Sequence, residues 1–257
     1  MSDIDVLPTG FPTLDRDLGG GFRTGDLLVL GGDSGSGTSS LALAIALNAG
    51  AAGCLFLTGE MSPDRVAERA LAIESRVQLS DLRSPTLSDV DAANIAAAAT
   101  RLRYQAPVVR VLQGGGVDAV AAAVGEQAGI ALVVVDGLES LLTGAASIDD
   151  QLAYSVLALK RIAISSRVAV LLVTHVGHID GERADRRPRL SDFGVRGAIG
   201  VHADVVLGLY REEIYVADLS LKGAAELLIL KRREGSLGYV DMFFYEACLR
   251  FEDVLET

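Results

Sequence analysis

The chain has 257 residues, half of them hydrophobic, with no tryptophan, two cysteines and a formal net charge of -11. That length suits one large α/β domain or two small ones, and the aliphatic content supplies a sizeable core. No apolar stretch approaches the roughly 18 uninterrupted residues of a membrane span, the acidic opening Met1–Asp5 lacks the apolar core of a signal peptide, and the acidic balance argues mildly against a surface that wraps nucleic acid.

In chain order, Leu27 to Leu30 reads as the first strand. The turn Gly31-Gly32-Asp33-Ser34-Gly35-Ser36-Gly37-Thr38-Ser39 follows it, and then a helical run from Ser40 to Ala46. Gly32 to Ser39 fits the phosphate-loop spacing G-x-x-x-x-G-K-[ST] at every specified position but one. The loop backbone from Gly32 through Asp33, Ser34, Gly35, Ser36 and Gly37 would cradle phosphates, and Ser39 would hold a magnesium ion. Thr38 stands where the lysine belongs, so no ammonium reaches the β- and γ-phosphates.

Gly53 to Thr58 is the second strand, closed by Gly59-Glu60-Met61-Ser62. Ser62-Pro63 has the form of a helix start and opens a helix to about Val77. Ser88 with Asp91 resembles a capping box before an alanine-rich helix reaching Arg103. Val108 to Leu112 is a strand, Val117 to Ala128 a helix, and Ile130 to Val135 an apolar strand ending at Asp136. A long amphipathic helix, Ile148 to Arg167, carries Leu152, Leu159, Ile162 and Ala163 on its apolar side. Val168 to Val173 ends at Thr174-His175, and an arginine-rich segment follows with Arg183, Arg186, Arg187, Arg189 and Arg196. Asp204 to Tyr210, Ala225 to Lys231 and Tyr239 to Tyr245 read as strands, the last two joined by Glu234–Gly238 as an antiparallel hairpin.

Short apolar runs alternating with helices predict an α/β fold, a mostly parallel twisted sheet flanked by helices with a C-terminal antiparallel hairpin. No linker or repeat divides residues 1–257, which read as a single domain. The isolated Cys54 and Cys248 suit reduced structural thiols in a cytoplasmic protein.

Asp136 ends a strand at the sheet edge where ligands bind in such folds. There it would hold magnesium; the other reading is a cap on a neighbouring helix. Glu60 lies beyond the adjacent strand, placed to polarise an attacking water or merely to complement a helix dipole. His175 is placed to donate to a γ-phosphate, against a purely structural role. The arginine-rich segment is either a basic grip or a solvated loop.

Taken together, the motifs resemble a family. Thr9-Gly10-Phe11-Pro12-Thr13-Leu14-Asp15 with Gly19-Gly20-Gly21-Phe22-Arg23-Thr24-Gly25-Asp26 looks like the opening of RecA-type ATPases of the DnaB and RadA/KaiC groups. Thr58-Gly59-Glu60-Met61-Ser62, with Arg65 and Arg69, resembles the helicase S-L-E-M-S motif and its arginine-bearing helix. Arg187-Pro188-Arg189-Leu190-Ser191-Asp192-Phe193 through Ala203-Asp204 is similar to R-P-x-L-S-D-L-R-E-S-G-A-I-x-x-x-A-D. Lys231-Arg232-Arg233-Glu234-Gly235 resembles the K-Q-R-N-G hairpin. In order from Thr9 to Phe251, these matches resemble the C-terminal motor domain of DnaB-like replicative helicases, without their N-terminal collar domain.

The resemblance implies a RecA-like P-loop NTPase core that takes ATP and Mg2+, with Glu60 as catalytic carboxylate and Asp136 as the Walker B aspartate. It implies that Lys231 and Arg233 reach a neighbouring subunit's γ-phosphate, and hence a homo-oligomeric ring, most often a hexamer. It implies that Arg187, Arg189, Arg196 and Gly197 lie along single-stranded DNA. Departures cluster at Thr38, at Gly194 and Val195 in place of Arg-Glu, and at Gly137 and Glu139 in place of Tyr and Gln. The expectation is a diverged helicase-family ATPase with impaired hydrolysis. One alternative is a pseudo-ATPase acting as an assembly or regulatory partner in DNA replication or repair, for example with a replicative helicase or its loader. The other is a RadA/KaiC-like ATPase.

Overall fold

The computed structural model describes residues 6–112, 114–144, 147–177, 179, 183–216 and 219–254, so the acidic opening lies outside the described residues. Side-chain alternation decides how its strands are buried. In β3 (Leu27–Gly32), Leu28 and Leu30 join the core on one face while Leu27 and Val29 join the core on the other. The strands β4 (Cys54–Thr58), β6 (Leu132–Asp136) and β7 (Ala169–His175) are likewise buried on both faces. Continuous aliphatic runs mark a parallel sheet covered on two sides. Helices α2 (Thr38–Asn48) and α3 (Pro63–Ser75) cover the first face, and α5 (Gly116–Glu126) and α6 (Ile148–Ser166) the second.

The remaining strands are β5 (Val108–Val111), β8 (Val205–Tyr210), β9 (Ala224–Arg232), β10 (Gly238–Tyr245) and β11 (Arg250–Asp253). They complete a nine-stranded sheet of order β11-β10-β9-β8-β3-β7-β6-β4-β5. The stretch from β8 to β5 is parallel, and β9, β10 and β11 are added antiparallel. This is the expected fold, hairpin included. Four short elements escaped periodicity, which needs several residues to register. They are β11, the two-residue strands β1 (Val6–Leu7) and β2 (Phe22–Arg23) that pair with each other, and the six-residue helix α1 (Pro12–Asp17).

Both helix starts behave as their residues dictate. The Ser62 hydroxyl accepts from the Arg65 N–H at 3.3 Å, and the Ser88 hydroxyl accepts from the Asp91 N–H at 3.0 Å while donating to the Asp91 carboxylate at 2.7 Å. The helix that Ser88 opens, α4 (Asp89–Gln105), packs on α3 and buries only Ala98.

One packing contact ties distant segments together. Phe193 is 3% exposed, and its ring lies over Gly31 of β3, where an added Cβ would stand 2.4 Å from Cε1. Gly31→Ala is therefore expected to force that ring aside and to cost about 1–3 kcal/mol of stability. Thermal unfolding of the purified variant reads this directly, and an unchanged melting temperature would contradict the contact.

Candidate functional site

Parallel strands deliver the chemistry to their C-terminal edge. There Gly32 pairs with His175, and Thr58 pairs with Asp136, so β3, β4, β6 and β7 end side by side. The glycine-rich turn leaves β3 and enters α2 through Gly37, whose φ of +99° is a left-handed conformation that favours glycine. Gly32 must also be small, since an added Cβ would stand 2.4 Å from Ser36 Oγ and 3.1 Å from Thr38 Cγ2. Thr38 is thus folded inward beneath the loop, and it is buried.

Ser39 Oγ donates to Asp136 Oδ1 at 2.9 Å. Asp136 is 1% exposed, and its other oxygen, Oδ2, has no partner, as is also true of Ser36 Oγ. Burial pushes the Asp136 carboxyl up to about 6, and Glu60 adds to the rise, against the Ser39 hydrogen bond and the nearby Arg69 and His175. An orphaned carboxylate oxygen beside a hydroxyl is a donor set for a hard divalent cation. Among the described residues no three His, Cys, Asp or Glu side chains gather as a metal cluster. A cation here would take its other ligands from phosphate and water, so the residues present fit a metal–phosphate complex rather than a metal alone.

Thr58 is buried and its hydroxyl accepts from the Glu60 and Met61 N–H groups at 3.1 and 3.3 Å, fixing the turn that presents Glu60. Glu60 Oε1 lies 2.8 Å from where a Cβ on Gly137 would stand. With its φ of +108°, Gly137 leaves room for that carboxylate beside Asp136.

Two arginines join this edge that were not read as site residues from sequence. Arg69 lies on α3, half-buried, close enough to act on Asp136, with no hydrogen bond or ion pair to any described residue. Its place in the arginine-bearing helix was a signal. Arg211 directly follows β8, the other neighbour of β3. It is 5% exposed, donates to the Gly35 carbonyl at 3.1 Å, pairs with Glu213 at 2.5 Å and stacks on Phe244 at 4.4 Å. Adjacency to β3 was the missing information, because sequence alone does not order strands.

Lys231 and Arg233 stand elsewhere, at the opposite end of the sheet where β9 terminates. The Lys231 ammonium donates to the carbonyls of Gly200 (2.7 Å) and Ala203. Arg233 Nε pairs with Asp204 at 2.9 Å. Asp204 also accepts from the Leu27 N–H at 2.9 Å and from Lys160 at 2.5 Å. Within one chain, these two cations and the loop do not meet.

The arginine-rich segment is largely tied down. Arg187 forks onto Glu226 at 2.5 and 2.6 Å and lies over the Tyr210 ring; the Glu226 carboxylate holds its guanidinium pKa well above the ordinary range. Arg183 pairs with Asp192 and Arg196 with Asp150. Arg186 lies over Tyr215, whose hydroxyl donates to Asp33 of the loop at 2.9 Å. No ion pair within 4.0 Å holds Arg189 among the described residues. Val195 and Arg196 take φ values of +52° and +50°, a strained conformation for a β-branched residue, and Gly197 caps helix α7 (Ala198–His202).

Against known proteins, residues 6–253 match the model of the DnaB-like helicase C-terminal domain. The chain is 28% identical over 258 residues to the replicative DNA helicase DnaC of Bacillus subtilis, and 29% identical over 259 residues to the replicative DNA helicase DnaB of Leifsonia xyli. Those matches cover 97% and 96% of the chain but only 57% and 56% of the relatives, so it spans little more than half their length. In fold, 99% of the chain matches a DnaB-like replicative helicase solved with attention to its primase interactions, at TM-score 0.91 and 22% identity, over 63% of that chain. A separately solved ATPase domain is matched over the same 99%, again at TM-score 0.91, with 21% identity and 94% of that domain covered. The RadB recombinase gives a TM-score of 0.60 at 19% identity, over 97% of this chain and 100% of that one.

Proposed function

The chain belongs to the DnaB-like helicase C-terminal domain family, and we propose that it is a motor domain that still binds ATP with Mg2+ but hydrolyses it slowly. The observation that carries this reading is the hydrogen-bonded pair of half-buried Ser39 and buried Asp136, with its orphaned carboxylate oxygen, at the end of the loop. Mg2+ held there would neutralise charge on the β- and γ-phosphates. Ser39 and Asp136 would fix the cation, the loop backbone would bind phosphate, and Glu60 would orient the attacking water. His175 would donate to the γ-phosphate, and Arg69 would offset part of the charge that Thr38 lacks. Loss of a buried charged contact costs about 2–4 kcal/mol, which places turnover roughly 30- to 1000-fold below that of a lysine-bearing loop.

Ring assembly belongs to the same proposal. Lys231 and Arg233, remote from their own loop, would serve a neighbouring subunit's site in a hexamer. Arg189 and Gly197, with Arg187 and Arg196 after release from Glu226 and Asp150, would line single-stranded DNA in the channel. Buried Cys54 and Cys248 suit a cytoplasmic setting. Glu60→Gln is expected to reduce Mg-dependent hydrolysis by at least about 100-fold while sparing nucleotide binding. A variant that hydrolyses ATP as the wild type does would assign the chemistry elsewhere. The second reading, a pseudo-ATPase acting through protein contacts with a replicative helicase or its loader, is favoured by Thr38. It predicts no turnover in wild type at any DNA concentration.

A further inference from the structure

Within the loop itself, Gly31 to Ser39, the only charge is negative. Thr38 contributes none. Asp33 places a carboxylate in the loop itself, held by the Ser34 N–H at 2.7 Å and the Tyr215 hydroxyl at 2.9 Å. Asp136 and Glu60 stand beside it at the strand ends. Of the cations on this edge, Arg211 is already spent on Glu213. Arg69 on α3 and Arg186, which lies over the Tyr215 ring, stand around the loop rather than within it. A free nucleoside polyphosphate would bring several negative charges to this mouth, where partial burial weakens solvent screening and makes like-charge contacts expensive. A lysine-bearing loop answers that charge whether or not metal is present; this loop cannot.

We propose that the site accepts a nucleotide only as its complex with a divalent cation, and that Asp33 and Thr38 together exclude the metal-free form. The inference rests on the nucleotide-binding reading above and adds a selectivity to it. Asp33 is then a specificity determinant, and the Tyr215 hydroxyl holds it at its post. Binding of metal and of nucleotide are coupled, each raising the affinity of the other by the same factor.

The test is equilibrium titration of the purified chain with a fluorescent ATP analogue, once in Mg2+ and once in EDTA. Wild type is expected to bind at least about 100-fold more weakly without metal, like charges in a partly buried site being the cause. Thr38→Lys and Asp33→Asn, each measured in both conditions, are expected to narrow that gap to about 10-fold, the metal-free arm gaining about ten times more than the Mg2+ arm. Equal wild-type affinity in the two conditions overturns the inference and leaves nucleotide binding intact. A gap that neither variant narrows overturns the roles of Asp33 and Thr38. No binding even in Mg2+ overturns the nucleotide-binding reading itself, and this selectivity with it.

Discussion

Thr38→Lys is expected to strengthen nucleotide binding and to raise turnover, each by about 30- to 1000-fold, because a buried phosphate contact carrying full charge is worth about 2–4 kcal/mol. Ser36 Oγ is buried without a partner beside Thr38, so an ammonium arriving there finds an acceptor already waiting. The rest of the set, Ser39, Asp136 and Glu60, needs no adjustment. Steady-state hydrolysis and binding titration of the single variant measure both effects. A gain in affinity without a gain in turnover would put the remaining defect outside the loop. No gain in either would mean that the loop is not the limiting feature.

Asp136→Asn is expected to separate stability from function. In the folded protein burial lifts the Asp136 carboxyl from its ordinary 3.8 to about 6, so at neutral pH the ionised form opposes folding. At about 1.4 kcal/mol per decade of pKa this opposition reaches up to about 3 kcal/mol. The sign follows from proton counting. Between pH 4 and 6 the folded state holds a proton that the unfolded state has lost, so stability falls as pH rises through that window. The metal-free asparagine variant is therefore expected to melt higher than wild type at pH 7.5, by on the order of 5–10 °C. The difference is expected to vanish at pH 4 and below, where wild type is also neutral. With Mg2+ and nucleotide at about 1,000 times the dissociation constant the order reverses, because only wild type gains the linkage term, about 4.1 kcal/mol there. Melting curves in EDTA at the two pH values decide it. A variant that melts below wild type at pH 7.5 would mean that the orphaned Oδ2 is not the liability that its burial indicates.

Much of the fold was readable because strands buried on both faces write themselves as unbroken aliphatic runs. Leu132-Val133-Val134-Val135 and Val168 to Val173 could hardly be anything else, and Ser62-Pro63 announced its helix by chemistry rather than by pattern. The placement of the candidate site residues followed from the same logic, since Asp136 and His175 end strands and Glu60 stands two residues beyond one. What sequence could not supply was adjacency. Arg211 sits beside the loop only because β8 lies next to β3, and nothing local to Arg211 encodes that order. The partners of the arginine-rich segment were hidden for the same reason: Glu226 is on β9 and Asp150 on α6, both remote in the chain. Five arginines within fourteen positions read as a basic patch, yet pairing with Asp192 nearby and with Glu226 and Asp150 far along the chain neutralises much of that charge. Composition counts charges; only the fold shows which are already answered.

The ring of Phe193 over Gly31 carries a mechanical consequence. Gly31 immediately precedes the first residue of the phosphate loop, and Phe193 immediately precedes the turn that runs through Gly194 to Gly197. Interiors pack too densely to absorb a shift at such a point. The two loops are thus separated by the thickness of one aromatic ring, with no slack between them. A shift of the backbone at Gly31 is therefore expected to press on the Phe193 ring by steric contact, a coupling that salt would not screen.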